Sequence, residues 1–123
     1  MKAIIIDDEK RARHLLSNLI TAHCPNISGI KEAHDLESGV DLIKASKPDV
    51  VFLDIEMPNQ SGLDILEYFP NHIDFKIIFV TAYNQYAIEA FKLSAVDYLL
   101  KPVDTSELKE AVAKAEKAIK ATT

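Results

Sequence analysis

The fold is decided by residues 50–54, which read VVFLD: four apolar side chains that run directly into an aspartate. A strand that is apolar at every position is buried on both faces, as in a parallel sheet covered by helices above and below. Two other runs have the same character, AIII at residues 3–6 and IIFV at residues 77–80. We therefore expect a parallel sheet with these three runs at its centre.

Helical patterns separate the strands. Residues 9–23 carry apolar side chains three and four positions apart, which is one face of a helix. A second helix is expected to begin after Asp35, a third at Ser61 in a capping box with Asp64, and a fifth after Asp104. Residues 86–93 give a short fourth helix between the last two.

Two weaker strands complete the pattern, at residues 30–34 and 95–100, and both contain charged residues, as edge strands often do. Strand and helix thus alternate five times with short connections, which predicts an α/β domain with a doubly wound five-stranded parallel sheet. The (βα)5 flavodoxin-like strand order 2-1-3-4-5 suits three apolar central strands, although the alternation alone leaves the order open.

Composition narrows the class of protein. A length of 123 residues favours one domain, here residues 1–123. The net charge of −5 argues against direct contact with nucleic acid. The longest apolar runs have four residues, far fewer than the ~20 that span a bilayer, and the start lacks the apolar core of a signal peptide. Cys24 is the only cysteine, which excludes a disulfide framework. We expect a cytoplasmic domain without a membrane segment.

Chemically active side chains follow the predicted strands. In open α/β sheets, ligands bind beyond the carboxyl ends of the strands, where the strand order reverses. The first strand is followed by Asp7 and Asp8, the third by Asp54 and the fourth by Thr81, while the fifth runs into Lys101. We expect these five side chains to meet at one edge of the sheet.

The expected cluster of carboxylates favours a divalent cation. Two carboxylates ~4 Å apart repel each other by about 4 kcal/mol at an effective dielectric constant of ~20. Mg²⁺, with Mn²⁺ as an alternative, prefers such oxygen ligands. A carboxylate can also act as a nucleophile and form an aspartyl phosphate. The Met57-Pro58 turn is expected to fix the loop after Asp54 and to leave that carboxylate exposed at the tip of the strand. Lys101 would then neutralise a phosphoryl oxygen and Thr81 would donate a hydrogen bond to it.

Each of these residues alone has a plainer interpretation. Asp8 suits a helix N-cap about as well as a metal site, Thr81 suits a β-strand, and Lys101 suits a solvated surface. Their convergence on one edge of the sheet favours the functional interpretation.

At these positions the chain resembles the receiver domain of bacterial two-component response regulators. Four motifs carry the resemblance: IIDDE at residues 5–9, FLDIEMPNQSG at residues 52–62, VTA at residues 80–82 and YLLKP at residues 98–102. They appear in the family's order and extend over essentially the whole chain. The resemblance implies a signalling domain that catalyses only its own phosphorylation and dephosphorylation, with a sensor histidine kinase as partner.

The resemblance also implies a role for individual residues. Asp54 would be the phosphoacceptor, and Lys101 and Thr81 would contact the phosphoryl group. The metal would be held by Asp8, by Asp54, by the backbone carbonyl of Glu56 and, through water, by Asp7. The peptide bond before Pro102 would be cis.

A conformational switch belongs to the same resemblance. On phosphorylation Thr81 would turn towards Asp54 and Tyr98 would follow inward, remodelling the face made by the fourth helix, fifth strand and fifth helix. Homodimerisation through this face is expected. Glu56 and Tyr83 occupy the two positions that tune the lifetime of the phosphoryl group, and the Tyr83 ring could obstruct the water that hydrolyses it.

A finer likeness concerns the output. TAYNQYA at residues 81–87 and DYLLKP at residues 97–102 are similar to receivers of LytTR-type transcription regulators, which carry a separate C-terminal DNA-binding domain. Residues 120–123 run off the end of the fifth helix, and we expect such an output domain to lie outside this chain.

Other functions remain as alternatives. A haloacid-dehalogenase-type Mg²⁺ phosphatase also uses an aspartate nucleophile but expects a second aspartate two residues later, where this chain has Glu56. A flavodoxin-like flavin site would be repelled by Asp7, Asp8 and Glu9. An unphosphorylated pseudo-receiver usually lacks part of the acidic pair, the threonine or the lysine, and this chain has all of them. The four histidines show no metal-ligand spacing and are expected at the surface: His14, His23, His34 and His72.

Overall fold

A computed structural model describes residues 1–121. Its elements are, in chain order, β1 (Lys2–Ile6), α1 (Lys10–His23), β2 (Gly29–Ala33), α2 (Leu36–Ser46), β3 (Val50–Leu53), β4 (Glu56–Met57), β5 (Gln60–Ser61), a 3-10 helix (Gly62–Tyr68), β6 (Lys76–Thr81), α3 (Ala87–Lys92), β7 (Asp97–Leu100) and α4 (Thr105–Ala121). Residues 122–123, where the last helix was expected to run off its end, lie outside the described part of the chain.

Five of the strands form one parallel sheet in the order β2-β1-β3-β6-β7. The predicted order 2-1-3-4-5 is confirmed, with β6 and β7 as its fourth and fifth strands. The charged strands β2 and β7 lie at the two edges, and the three apolar strands lie between them. The Asp54 N–H donates to the Ile6 carbonyl at 3.0 Å, which extends the pairing of β1 and β3 to the point where both strands end.

The central strands are apolar throughout because helices cover both faces of the sheet. In β1, Ile4 and Ile6 pack into a core shared with α2 and the 3-10 helix. Ala3 and Ile5, which point the opposite way, pack into a second core shared with α1 and α4. Every side chain of β3 is buried for the same reason.

Two predicted helix starts are confirmed by their caps. The Asp35 carboxylate accepts a hydrogen bond from the Ser38 N–H at 2.8 Å, and the Asp104 carboxylate accepts one from the Glu107 N–H at 3.0 Å. Such caps satisfy amide groups that have no partner within the helix. Among the described residues, no helix combines the length and the apolar character needed to cross a membrane.

The third predicted helix differs from the expectation. It is the 3-10 helix Gly62–Tyr68 rather than an α-helix. The Ser61 hydroxyl accepts from the Leu63 N–H at 3.1 Å, one residue earlier than a capping box requires. The Gly62 N–H donates to the Ile55 carbonyl at 2.8 Å. The start of the segment is therefore tied tightly to the end of β3, which favours the narrower helix.

Candidate functional site

Three carboxylates converge at the carboxyl edge of the sheet. Asp7 and Asp8 follow β1 and Asp54 follows β3, and each offers an oxygen that lies within 4.8 Å of the other two. Asp7 and Asp54 are only 4% and 6% exposed, whereas Asp8 is open to solvent. The structure thus brings together the three acidic residues that were expected to meet because they follow neighbouring strands.

The Asp54 carboxylate is buried, so the expectation that the Met57-Pro58 turn leaves it exposed was wrong. One of its oxygens accepts a hydrogen bond from the Ile55 N–H at 2.7 Å, and the other accepts one from Lys101 Nζ at 3.1 Å. These two hydrogen bonds hold the carboxylate in its buried position. The carboxylate is therefore already held in one orientation.

Lys101 joins two of the acidic residues. Its Nζ atom lies 2.8 Å from Oδ2 of Asp7 and 3.1 Å from Oδ2 of Asp54. The backbone supports this position, since the Lys101 N–H donates to the Thr81 carbonyl at 2.8 Å and the peptide bond to Pro102 is cis. Lys101 thereby completes a buried charge cluster built from β1, β3 and the segment after β7.

The pKa shifts follow from this cluster. Burial raises the pKa of Asp54, the charge of Lys101 opposes the rise, and the nearby Asp7 charge adds to it. For Lys101, burial alone would lower the pKa, but the hydrogen bond to Asp7 and the charges of Asp54 and Asp7 outweigh it and raise the pKa. The cluster combines three carboxylates, of Asp7, Asp8 and Asp54, with one ammonium that contacts two of them, so in its ionised form it keeps an excess of negative charge. An all-oxygen donor set with this charge suits Mg²⁺.

The loop between β1 and α1 determines where the Asp7 and Asp8 side chains lie. Oδ1 of Asp7 accepts from the Glu9 N–H at 2.9 Å. Glu9, not Asp8, is the N-cap residue of α1, and its side chain makes no capping hydrogen bond. The Asp8 carboxylate is thus placed beside Asp7 and Asp54 rather than at the cap.

Arg13 also stabilises the backbone at Asp7, a role that was not predicted from the sequence. Its guanidinium donates to the Asp7 carbonyl at 2.7 Å and pairs with Glu32 of β2 at 3.2 Å. The only sequence signal was a basic residue beside the apolar face of α1, which is too common to single out a site residue.

Thr81 ends β6 and is completely buried. Its hydroxyl accepts a hydrogen bond from the Tyr83 N–H at 3.4 Å. The side chain therefore faces the loop that leads into α3, at the same edge of the sheet as the carboxylates. A movement of this hydroxyl would release a contact within that loop.

Three tyrosines and Glu56 are linked by contacts between β7 and the loops that follow Asp54 and Thr81. The Tyr98 hydroxyl donates to the Tyr83 carbonyl, and the Tyr98 ring lies 6.4 Å from that of Phe79. Burial raises the pKa of Tyr98. The Tyr86 hydroxyl donates to Oε2 of Glu56 at 2.8 Å, and this hydrogen bond raises the pKa of Tyr86. No role was predicted for Tyr86 from the sequence, because an aromatic residue at the start of a helix usually indicates packing.

The four histidines are all exposed, as predicted. Two of them lie near acidic neighbours on the surface: His34 beside Asp35, and His72 beside Asp74. They lie outside the carboxylate cluster.

Comparison with known proteins gives consistent matches. Residues 3–113 match the family described as response regulator receiver domain. An uncharacterized response regulatory protein of Vibrio cholerae is 46% identical over 112 residues, covering 91% of this chain and 47% of that protein. The sensory transduction protein LytT of Enterococcus faecalis is 37% identical over 119 residues, covering 95% of this chain and 48% of that protein.

One solved structure is similar to this chain in both sequence and fold. The response regulator protein TrrA of Thermotoga maritima, crystallised in complex with Mg²⁺-BeF, is 33% identical to this chain. The match covers 93% of this chain and 97% of that chain with a TM-score of 0.80. The present chain spans about half the length of the two curated relatives.

Proposed function

Because the chain belongs to the response regulator receiver domain family, we propose that it is a phosphorylation switch in which Asp54 accepts a phosphoryl group from a sensor histidine kinase. The observation that carries the proposal is the buried Asp54 carboxylate, with oxygens of Asp7 and Asp8 within 4.8 Å and Lys101 Nζ at 3.1 Å. A carboxylate held in this way is oriented before any donor arrives, which lowers the entropic cost of the transfer.

The proposed transfer is a displacement at phosphorus. An oxygen of Asp54 forms a bond to phosphorus while the bond from phosphorus to the imidazole nitrogen of the donor breaks. The released nitrogen takes a proton from solvent. Lys101, which already contacts Asp54, would neutralise an oxygen of the transferred group, and the Thr81 hydroxyl would donate a hydrogen bond to another.

The carboxylate cluster supports a divalent metal requirement. We propose Mg²⁺, with Mn²⁺ as an alternative, held by Asp8, Asp54 and the backbone carbonyl of Glu56, with Asp7 contributing through water. The bound ion would supply positive charge to offset that of the carboxylates and the phosphoryl oxygens. Support comes from the all-oxygen donor set and from TrrA of Thermotoga maritima, which was solved with Mg²⁺-BeF.

Phosphorylation would act on the face formed by α3, β7 and α4. Thr81 would leave its contact with the Tyr83 N–H and turn to the phosphoryl group, and Tyr98 would move inward. This face exposes large apolar side chains: Ile88 at 70%, Phe91 at 52% and Leu100 at 42%. Exposed apolar patches of this kind favour association, here homodimerisation or contact with an output domain.

The remaining proposals concern domain organisation and location in the cell. The curated relatives are about twice as long as this chain, and LytT is among them. We propose that residues 1–123 form the receiver domain and that a DNA-binding output part lies outside them. Action in the cytoplasm stays a prediction from the sequence.

The proposed function is tested by incubating the protein with acetyl phosphate, with and without Mg²⁺, and following the intact mass. We expect a gain of one phosphoryl group only when the metal is present, and no gain in Asp54→Asn. Asp41→Asn, which changes an exposed carboxylate on α2, is the matched control and should behave as wild type. Metal-independent labelling, or labelling of Asp54→Asn at the wild-type rate, would contradict the proposal.

A further inference from the structure

One hydrogen bond links the loop that follows Thr81 to the hairpin that follows Asp54. The Tyr86 hydroxyl donates to Oε2 of Glu56 at 2.8 Å. Tyr86 immediately precedes α3, whereas Glu56 begins the β4–β5 hairpin two residues after Asp54. The bond therefore joins the loop that follows Thr81 to the hairpin that follows Asp54, on the border of an open groove of about 680 Å³.

The loop that carries Tyr86 is anchored on its other side as well. The Tyr98 hydroxyl donates to the Tyr83 carbonyl, and the rings of Tyr83 and Tyr86 meet edge to face with their centres 6.4 Å apart. Edge-to-face contact is a favoured arrangement of two aromatic rings. A continuous set of contacts therefore runs from Tyr98, the proposed switch residue, to the carboxylate of Glu56.

The hydrogen bond between Tyr86 and Glu56 matters chemically because Glu56 lies two residues after Asp54. Its carboxylate is exposed and, within residues 1–121, lies outside the cluster formed by Asp7, Asp8 and Asp54. A free carboxylate so near to Asp54 in the chain could rotate towards the phosphoryl group and accept a proton from an attacking water. The hydrogen bond to Tyr86 occupies one carboxylate oxygen and holds the side chain against the residue that precedes α3.

We propose that Tyr86 is a positioning residue that holds the Glu56 carboxylate away from a phosphoryl group on Asp54 and so prolongs the phosphorylated state. The inference rests on the proposed function. In the hydrolysis that Tyr86 restrains, the oxygen of a water molecule bonds to phosphorus while the bond from phosphorus to Asp54 breaks. The electron pair of that bond stays on the Asp54 carboxylate, inorganic phosphate leaves, and the proton of the water passes to the released Glu56.

The first test uses Tyr86→Phe, which removes the hydroxyl and keeps the ring. In the unphosphorylated protein without metal, amide hydrogen exchange should become faster in residues 56–61 and 82–86 together. After phosphorylation with acetyl phosphate and removal of the donor, Tyr86→Phe should lose its phosphoryl group several-fold faster than wild type. Tyr68→Phe is the matched control, because it removes a tyrosine hydroxyl that contacts Gln60 on the other strand of the same hairpin.

The second test is a double-mutant cycle with Glu56→Ala, which removes the side chain that Tyr86 holds. Adding Tyr86→Phe to Glu56→Ala should leave the decay rate unchanged. Equal decay of Tyr86→Phe and wild type, equal acceleration by Tyr68→Phe, or acceleration by Tyr86→Phe that persists without Glu56 would each overturn the inference and leave the proposed function intact. Wild-type protein that takes up no phosphoryl group would overturn the proposed function itself.

Discussion

The Nζ atom of Lys101 lies 3.1 Å from Oδ2 of Asp54, although 47 residues separate them in the chain. The contact exists because β3 and β7 end at the same edge of the sheet, with β6 between them. Lys101 also lies 2.8 Å from the Asp7 carboxylate. An ammonium in this position partly neutralises the same oxygens that a divalent cation would bind, so the two cations compete electrostatically.

Lys101→Met is therefore expected to bind Mg²⁺ several-fold more tightly than wild type while accepting a phosphoryl group more slowly. The affinity rises because a competing positive charge is removed, and the rate falls because the phosphoryl oxygens lose a cationic partner. Titration calorimetry with Mg²⁺ measures the first effect and the intact mass over time measures the second. Lys114→Met, which removes a half-exposed lysine paired with Asp97, should change neither. An unchanged or weaker Mg²⁺ affinity in Lys101→Met would contradict this explanation.

Thr81→Ala is expected to take up a phosphoryl group without remodelling the α3–β7–α4 face. The buried hydroxyl is the group that would leave the Tyr83 N–H for the phosphoryl group, so its loss uncouples the site from that face. Amide chemical shifts recorded before and after phosphorylation provide the measurement. Thr81→Ser keeps the hydroxyl and should respond as wild type does. Identical shift changes in Thr81→Ala and wild type would refute the proposed coupling.

Tyr83→Ala is expected to shorten the life of the phosphorylated protein several-fold. Tyr83 is 42% exposed on the loop that follows Thr81, and we propose that its ring obstructs a water molecule approaching phosphorus opposite the Asp54 oxygen. Loss of a half-exposed ring should change the free energy of unfolding by only about 0.5 kcal/mol. Decay followed on a phosphate-affinity gel gives the lifetime. Tyr83→Phe retains the ring and should decay at the wild-type rate, and the idea fails if Tyr83→Ala does so too.

Gly62→Ala is expected to destabilise the domain by about 1–3 kcal/mol, the usual cost of overpacking. A Cβ atom at Gly62 would lie 2.0 Å from the Asp54 carbonyl oxygen, so the backbone that carries the proposed phosphoacceptor would have to shift. Chemical denaturation measures the loss, and acetyl phosphate labelling should become slower. Gly29→Ala is the control, because a Cβ there meets no atom within 4 Å. Equal stability of the two variants would show that the close contact is relieved without cost.

Much of the fold could be predicted because the apolar and charged residues of each strand indicate which of its faces are buried. VVFL at residues 50–53 is apolar on both faces, and the structure buries every one of its side chains between two layers of helices. The charged strands β2 and β7 are the edges, where one side of the backbone remains unpaired. The meeting of Asp7, Asp8 and Asp54 follows from parallel strands ending at a common edge.

The details that could not be predicted depend on contacts between distant segments. The β4–β5 hairpin has strands of only two residues, too short for any periodic signal. The buried Asp54 carboxylate contacts Lys101, which follows a different strand. The bond from Tyr86 to Glu56 spans 30 residues and involves two exposed loops, whose geometry no local preference determines.

We propose that the acidic cluster makes one side chain, Asp54, the reversible phosphoacceptor. The most direct measurement is to phosphorylate the wild-type protein in the presence of Mg²⁺, reduce the acyl phosphate with borohydride, and locate the resulting homoserine by peptide mass spectrometry. We expect homoserine at position 54 and none when Mg²⁺ is replaced by a chelator. Homoserine at position 7 or 8 in place of 54, or an equal yield of homoserine without the metal, would contradict this proposal.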